Sequence, residues 1–521
     1  MRTNIGERLP DVCLSFELHQ PLRVNRDFQD ELAKGKKVEE LFDIYFDNSW
    51  NRMILERVAR KCYLPANETI LHGIEQFKRE QKSFKVAYSI SGVLIEQFER
   101  WAPDVLDSFK QLAETGCVEF LDQTYYHSLA SLFSAEREEF IDQVIAHRQL
   151  MRSLFGYVPT IFENTEFIYN NSIAKTLENM GYQGVFTEGA RRILKWRSPN
   201  YVYKAKGSKI AVLMRNYRLS DDIAFRFSVH DWPGWPLTAE KYALWLSATP
   251  GQFINIFVDY ETFGEHQWQE TGIFEFLKWL PREVLKHQNL QFKTPSELVA
   301  SHMPVGEVDV DDFNTISWAD VERSTNAWLG NDMQRTCYRA IKNMWPYVKR
   351  TGDEKILRLW RLFQMSDHIY YMYTAPGASG IVHGYFSQQY PKDAFRTLTS
   401  ILLNFQSRIL ERLGPQDRAA ADLTRLLPPE RAFYFFEDGT YVGTSAQSLE
   451  EFRDALAVAS GTSIRFHMAR SDFDKWIRYS VGDEKLADAI SKINVAGLHP
   501  NQLKQEVYKR VDERYRELVR V

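Results

Sequence analysis

Short apolar runs, each ending in polar residues, recur through the first half of the chain. Segments with helical spacing separate many of them, at 93–109, 135–155 and 171–180. Strand alternating with helix is typical of a parallel α/β architecture, and functional-looking residues at strand ends favour a closed or nearly closed barrel. The predicted strands are 11–16, 85–90, 118–121, 160–162, 184–186, 210–214 and 253–258.

The pattern changes after residue 297, where the strand signals stop. Residues 316–413 read as mainly helical, and the prolines at 428–429 lie in a plausible linker. Residues 431–521 begin with a hairpin pattern and continue with amphipathic helices. We therefore predict a barrel at 1–305, a helical domain at 306–425 that completes the cleft, and a small α+β domain at 431–521.

The densest group of polar and aromatic residues directly follows the strand at 253–258. Asp259 ends the apolar run, and Glu261, Glu265, His266 and Trp268 follow within ten residues. Residues two apart in an extended chain point to the same side, so Asp259 and Glu261 are expected to face one pocket. A lone acid there would ordinarily be a solvated strand end, but this density favours a site.

A second acidic group follows the strand at 160–162, where Glu163 and Glu166 flank Asn164. Helix starts also attract acids, which explains one of these acids more easily than both. Cleavage of a glycosidic bond with retention needs two carboxyl groups, a nucleophile and an acid/base. Glu166 and Asp259, at two strand ends of one barrel, are candidates for that pair.

Three weaker signals point to the same kind of chemistry. His19 and Gln20 follow the first strand and suit sugar hydroxyls, although a turn histidine is the commoner explanation. Glu119 lies inside an apolar strand near Tyr126, where it either lines the barrel mouth or pairs with an arginine. Trp232 and Trp235 belong to a polar and aromatic stretch that is long for a simple connector.

Composition narrows the classes of function. The 521 residues are 44% hydrophobic and 26% charged, as in a soluble protein of more than one domain. A net charge of −4 without a basic run argues against nucleic acid. No apolar run has membrane-spanning length, and no secretory leader is evident. Four scattered cysteines resemble reduced thiols, so we expect a cytoplasmic protein without a metal or organic cofactor.

Four segments, taken in order, resemble conserved regions of glycoside hydrolase family 57. They are His19-Gln20-Pro21, residues 116–120, the run 162–171 around Asn164-Thr165-Glu166, and residues 259–266. Residues 317–320 and 327–331 are similar to the stretch beyond the barrel in its α-amylase branch. The resemblance covers roughly residues 8 to 410, and the last unit resembles a small domain of unknown function found beside such enzymes.

The resemblance implies an incomplete (β/α)7 TIM-like barrel followed by helices, acting on α-1,4-glucans with retention. It implies Glu166 as nucleophile and Asp259 as general acid/base. The branch usually has an arginine where this chain has Glu163, which adds negative charge beside the nucleophile. The expected substrate-binding residues are His19, Gln20, Glu119, Tyr126, Glu163, Trp232, Trp235, Glu261, His266 and Trp328.

Several functions are compatible with these residues. An α-amylase-like hydrolase acting on an α-glucan or maltooligosaccharide is the expected one. A 4-α-glucanotransferase or branching enzyme would use the same chemistry with a sugar hydroxyl in place of water. A non-catalytic α-glucan-binding or regulatory protein would keep the pocket without turnover. A metal-dependent deacetylase would need an Asp-His-His set, for which the sequence has no convincing cluster. The oligomeric state stays open.

Overall fold

A computed structural model describes residues 10–133, 137–375 and 390–519 of the chain. They form two compact units, each assembled from three segments. The first contains the described residues of 1–26, 43–334 and 364–395, and the second those of 27–42, 335–363 and 396–521. The three consecutive domains expected from the sequence stay a prediction.

The strands of the first unit match the seven predicted apolar runs and add two short strands. The runs are strands because each is dominated by apolar side chains, and all except 118–120, where the first two residues are half-buried, are buried along almost their whole length. The strands are β1 Asp11–Leu18, β2 Val86–Ile90, β3 Val118–Phe120, β4 Ile161–Glu163, β5 Gly184–Glu188, β6 Tyr203–Ala205, β7 Ala211–Arg215, β8 Phe253–Asp259 and β9 Glu307–Val308.

These strands form two sheets, ordered β3-β2-β1-β8 and β4-β5-β7-β6-β9. Neighbours within β3-β2-β1-β8 and within β4-β5-β7 are parallel, whereas β6 is antiparallel to β7. A parallel bridge between Asp122 and Phe162 joins the sheets on one side. On the other side the Asn216 amide donates to the Asn255 carbonyl at 2.9 Å. Seven parallel strands therefore make an incomplete (β/α)7 barrel, which confirms the predicted fold class.

Helices surround the strands of this unit, and others make up most of the second. The α-helices are Asp30–Ala33, Val38–Tyr45, Asn48–Val58, Leu64–Arg79, Gly92–Trp101, Pro103–Glu114, Glu138–Phe155, Asn171–Asn179, Arg191–Leu194, Tyr217–Ala224, Ala239–Ser247, Ile273–Val284, Pro295–Ser301, Asn326–Leu329, Asp332–Asn343, Trp345–Thr351, Glu354–Phe363, Ser366–Tyr370, Pro391–Arg412, Pro415–Thr424, Leu449–Val458, Gly461–Ala469, Asp472–Trp476, Glu484–Ser491 and Pro500–Val519. One-turn 3₁₀ segments include Thr165–Phe167 and Tyr260–Thr262, and π-helical turns are Ala59–Tyr63 and Ile477–Val481.

The helix predicted at 93–109 is two helices in the structure. Gly92–Trp101 ends before Ala102, whose φ is −149°, and Pro103 opens the next helix. Proline disfavours the helical conformation in the residue before it, which explains the break. The helix predicted at 135–155 is Glu138–Phe155, and residues 135 and 136 lie outside the described residues.

Side chains alternate between two hydrophobic clusters along β1. Val12, Leu14 and Phe16 pack with residues of the surrounding helices, whereas Cys13 belongs to a cluster of residues from several strands. Because successive side chains of a strand point to opposite faces, Glu17 shares the inward face with Cys13. The strand pattern thus carries a glutamate into the barrel near its carboxyl end.

The second unit contains the predicted hairpin, with β10 at Phe433–Glu437 and β11 at Thr440–Ala446 paired antiparallel. Asp438 and Gly439, both with positive φ, form the turn. The aromatic residues Phe433, Phe435 and Phe452 are part of its buried core. Across the described parts of both units, no helix combines the length and apolar character needed to cross a membrane.

Gly264 tightly constrains the segment after β8. Its φ is +115°, and a Cβ placed there would lie 2.0 Å from the Lys61 carbonyl oxygen. We expect Gly264→Ala to lower the free energy of unfolding by about 3 kcal/mol, through backbone strain and this clash. Denaturant unfolding followed by tryptophan fluorescence measures the change.

Gly272→Ala is the matched control, because Gly272 also has positive φ but no atom within 4 Å of the added Cβ. Strain alone should cost it about 1 kcal/mol. Equal losses in the two variants would show that the contact with Lys61 does not constrain this segment.

Candidate active site

A pocket of about 680 Å³ opens at the carboxyl ends of the barrel strands. Residues at or after the ends of β1, β4, β5, β7 and β8 line it, together with residues 318–323 and 367–371. All of these residues belong to the first unit. The acidic lining residues are Glu17, Glu166, Asp221, Asp259, Glu261, Asp320, Glu322 and Asp367, and the arginines are Arg191, Arg192, Arg215, Arg226 and Arg323.

Glu166 is held in the pocket by its backbone and by a tryptophan. Glu166 and Phe167 have φ of +56° and +59°, a left-handed conformation that non-glycine residues adopt at a cost. The Trp318 indole Nε1–H donates to Glu166 Oε2 at 2.5 Å, and the Trp318 amide donates to the Glu166 carbonyl at 3.2 Å. His127 Nε2 lies 3.5 Å from Oε1. These contacts fix the direction of the carboxylate.

Asp259, the last residue of β8, lies in a different environment. Burial and, to a smaller extent, the negative charge of Glu166 raise its pKa to about 7, against the opposing effects of Arg215 and His127. The carboxyl group is therefore largely protonated below neutral pH. Two carboxyl groups of one pocket thus have different electrostatic surroundings.

Arg215 supplies a buried positive charge beside Asp259. Its guanidinium donates to Glu188 at 3.1 Å, to Asp221 at 2.7 Å and to the Phe257 carbonyl at 2.7 Å. It therefore also links β5, β7 and β8 at the side where the two sheets meet. Its charge favours ionised carboxylates around it.

Glu261 is buried against the wall of the pocket. Tyr63 donates a short hydrogen bond to its Oε1, and Gln20 Nε2 donates to the same oxygen at 3.3 Å. Burial raises the pKa of Glu261 to about 8, and Asp259 adds to the effect. Glu261 therefore contributes a mainly protonated carboxyl group at neutral pH.

His19 is a buried histidine with a partner at each ring nitrogen. Nδ1 lies 2.7 Å from Ser91 Oγ, and Nε2 lies 3.0 Å from Asp367 Oδ2. Burial, assisted by His127, lowers the pKa of His19 to about 4, so the ring is neutral at physiological pH. Both ring nitrogens are therefore occupied by side chains of the protein.

The sequence matches a known family over most of the barrel. The profile of "Glycosyl hydrolase family 57" matches residues 13–311. A "Putative alpha-amylase" of Methanocaldococcus jannaschii is 44% identical over 415 residues, 78% of this chain and 86% of that protein. The chain belongs to glycosyl hydrolase family 57. It is therefore a glycoside hydrolase by family, as predicted. Residues 405–512 match the profile of a "Family of unknown function".

Solved structures show the same fold for this family 57 chain. The 4-alpha-glucanotransferase of Thermococcus litoralis has a TM-score of 0.55 at 17% identity, covering 81% of this chain and 62% of its own. A GH57 branching enzyme of Thermococcus kodakaraensis has a TM-score of 0.52 at 14% identity, covering 78% and 94%. At these identities the likeness concerns the fold.

The structure brings six of the predicted site residues to the family 57 pocket. They come from the ends of β1, β4 and β8, which explains why widely separated motifs meet. The six are His19, Gln20, Glu166, Asp259, Glu261 and His266.

Glu119 and Glu163, which were expected to bind substrate, do not line this pocket. Glu119 accepts hydrogen bonds from the amide and hydroxyl of Ser296, near the start of the helix Pro295–Ser301. Glu163 is fully buried and accepts a hydrogen bond from Ser89. Burial raises the pKa of Glu163 well above its ordinary value, with Glu166 and Asp259 adding to the effect.

Four predicted aromatic residues also lie outside the pocket lining. Trp328 is fully buried in the helix Asn326–Leu329, and Tyr126 is buried against the ring of Tyr125 at 4.9 Å. Trp232 is partly buried against Trp245. Trp235 is 41% exposed. Strand periodicity carries no information about how such loop and helix side chains point.

The pocket also contains residues that the sequence reasoning did not select. Trp318 lay in a segment already singled out by the resemblance, so a signal existed. His127 directly follows Tyr126 in the sequence but was not selected as a site residue. Asp367 is 348 residues from its partner His19, and no local pattern indicates that pairing. Within residues 10–133, 137–375 and 390–519, no three His, Cys, Asp or Glu side chains are arranged to hold a metal ion.

Arg215 offers a test of the electrostatics of this site. Arg215→Met would leave Glu188 and Asp221 with only the longer contacts of Arg323, at 3.8 and 3.5 Å, and we expect a loss of about 3 kcal/mol in the free energy of unfolding. Arg226→Met is the control, because Arg226 pairs with Asp222 at 2.6 Å but is 36% exposed. That pair should contribute about 1 kcal/mol or less. Equal losses in denaturant unfolding would contradict the assigned role of Arg215.

Proposed function

We propose that this chain is a retaining hydrolase of α-1,4-glucans in which Glu166 is the nucleophile and Asp259 the general acid/base. The observation that supports it best is the contrast between these carboxyl groups in one pocket. Glu166 accepts a hydrogen bond from the Trp318 indole at Oε2, whereas the pKa of Asp259 is raised to about 7. A nucleophilic carboxylate and a protonated acid are what a two-carboxylate mechanism needs.

In the first step Glu166 attacks the anomeric carbon of the sugar. Trp318 donates a hydrogen bond to Oε2, so Oε1 is the oxygen directed to the substrate. A bond forms between Oε1 and the anomeric carbon while the glycosidic bond breaks, and Asp259 gives its proton to the departing oxygen. The product of this step is a glycosyl ester of Glu166.

In the second step Asp259 acts as a base. Ester formation removes the negative charge of Glu166, which is one cause of the raised pKa of Asp259. Asp259 is therefore more stable as a carboxylate in the intermediate than in the free enzyme. It takes a proton from water, the water oxygen bonds to the anomeric carbon, and the ester bond to Glu166 breaks.

The family and the chemistry of the walls support an α-glucan as substrate. The related protein of M. jannaschii is named "Putative alpha-amylase", and an "Alpha-amylase" of Pyrococcus horikoshii is 30% identical over 135 residues, 26% of this chain and 20% of that protein. Phe225, Val258 and Tyr370 provide apolar surface in the pocket for sugar faces.

Product analysis on maltoheptaose tests the activity. Wild type should release reducing ends and short maltooligosaccharides, while Glu166→Gln and Asp259→Asn should lose about 10³-fold or more in kcat. Glu119→Gln is the matched control, because this half-buried acid lies outside the pocket, and it should keep most of the activity. Longer products without new reducing ends would indicate glycosyl transfer, and binding without turnover by wild type would contradict an enzymatic role.

Azide separates the two catalytic roles. With an activated aryl α-maltooside, Glu166→Ala should give the β-glycosyl azide, because azide replaces the nucleophile and attacks from its side. Asp259→Ala should still form the glycosyl-enzyme and give the α-glycosyl azide. The reverse pattern, read from the anomeric proton couplings of the products, would exchange the two assignments.

The raised pKa of Asp259 predicts the basic limb of the pH profile. The acid form is present below about pH 7 and is lost above it, so kcat/KM should fall about tenfold per pH unit beyond that value. Initial rates on maltoheptaose from about pH 5 to about pH 9 measure this fall in kcat/KM. An aryl substrate whose leaving group needs no proton should lack the basic limb, and the same limb on both substrates would rule out Asp259 as its source.

A further inference from the structure

His127 occupies a position in the pocket that the mechanism above does not use. Its φ is +47°, and its ring stacks on that of His19 with centroids 4.1 Å apart and planes 22° from parallel. Nε2 lies 3.5 Å from Glu166 Oε1, and Nδ1 lies 3.3 Å from Glu17 Oε1. The imidazole is thus placed between the proposed nucleophile and a second, buried carboxyl group.

Neighbouring hydrogen bonds determine which atoms of His127 carry protons. Ser89 Oγ donates to Glu163, so it accepts from Gln123 Nε2, which lies 2.8 Å away. Gln123 therefore turns its carbonyl Oε1 to His127 Nδ1, at 3.1 Å. An acceptor at this distance requires a proton on Nδ1.

The other ring nitrogen also faces an acceptor. Glu166 must be ionised to act as a nucleophile, and an ionised carboxylate has no proton to give to Nε2. A lone pair on Nε2 would repel Oε1, whereas a proton there would be attracted to it. Both nitrogens of His127 therefore face acceptors, and the ring suits the doubly protonated form.

We propose that His127, held at Nδ1 by the Gln123 carbonyl, is a positively charged positioning residue that stabilises the ionised carboxylate of Glu166. This proposal rests on the proposed function and assigns a role to a residue that it leaves without one. His127 acts through Glu166 and Asp259 rather than on the sugar. It keeps Oε1 directed into the pocket while Trp318 holds Oε2.

The surrounding charges explain why a cation is needed at this point. Burial and the neighbouring carboxylates raise the pKa of Glu17 and of Glu163 well above their ordinary values, so negative charge is already costly here. His19 is neutral, and Arg215 is committed to Glu188 and Asp221. The titratable and charged groups around His127 are Glu17, His19, Glu163, Glu166, Asp259 and, beyond His19, Asp367.

His127→Gln tests the charge, because glutamine can hydrogen-bond but carries none. We expect kcat on maltoheptaose to fall about 10²-fold with a small change in KM, comparable to the loss of one charge-stabilising donor. Since His127 lowers the pKa of Asp259, the basic limb of the pH profile should move to higher pH.

His302→Gln is the matched control. His302 is a buried histidine whose Nε2 lies 2.7 Å from the Asp11 carboxylate, and it does not line the pocket. Both substitutions should lower the melting temperature to a similar extent, but only His127→Gln should move the basic limb. A loss of activity with that limb unmoved would overturn the proposal and leave His127 a purely structural role.

A titration without turnover separates this proposal from the proposed function. The side-chain carboxyl carbon of Asp259 can be followed by ¹³C NMR, with Asp259→Asn identifying its signal. Its midpoint should be higher in His127→Gln than in wild type and unchanged in His302→Gln. An unchanged midpoint in His127→Gln would overturn the proposal even in an active enzyme. A raised midpoint would support the cation even if Glu166→Gln retained full activity and so refuted the proposed function.

Discussion

The cost of burying carboxyl groups governs the carboxyl end of this barrel. Glu17, Glu163 and Glu261 are buried and Asp259 is partly buried, and this withdrawal from water raises the pKa of each. Such groups persist only if they hold a proton or face a cation or donor. Glu166 has a quarter of its side chain exposed and an indole donor on one oxygen. The division of labour proposed for Glu166 and Asp259 follows from where each side chain lies.

That arrangement depends on supports outside the pocket. The segment after β8 is fixed where Gly264 meets the Lys61 carbonyl, and Tyr63 from the same π-helical turn donates to Glu261. Arg57 forms an ion pair with Glu265 at 3.2 Å. A helical region close to the start of the chain therefore determines the shape of the motif around Asp259. The position of the motif around Asp259 and the packing of the outer helices therefore depend on each other.

The barrel could be predicted from the sequence because each of its strands is an apolar run that can be recognised without knowing its neighbours. Phe253–Asp259 is apolar until its last residue, so both the strand and the acid at its end could be inferred. The surroundings of Glu119 could not, because a strand places a side chain on a face without saying which neighbour closes that face. Here the start of a helix near residue 296 satisfies the carboxylate. Trp318 and Asp367 reach the pocket from far along the chain, and only tertiary structure pairs them with Glu166 and His19.

The division of the barrel into two sheets affects how such an enzyme can evolve. Glu166 follows a strand of one sheet, and Asp259 ends a strand of the other. The sheets are linked through Asp122 and Phe162 on one side and through Arg215 and Asn216 on the other. Substitutions at these seams would shift one carboxyl group relative to the other while leaving both in place. Evolutionary tuning of rate or of acceptor choice therefore has a route through residues such as Asp122 and Asn216, which do not line the pocket.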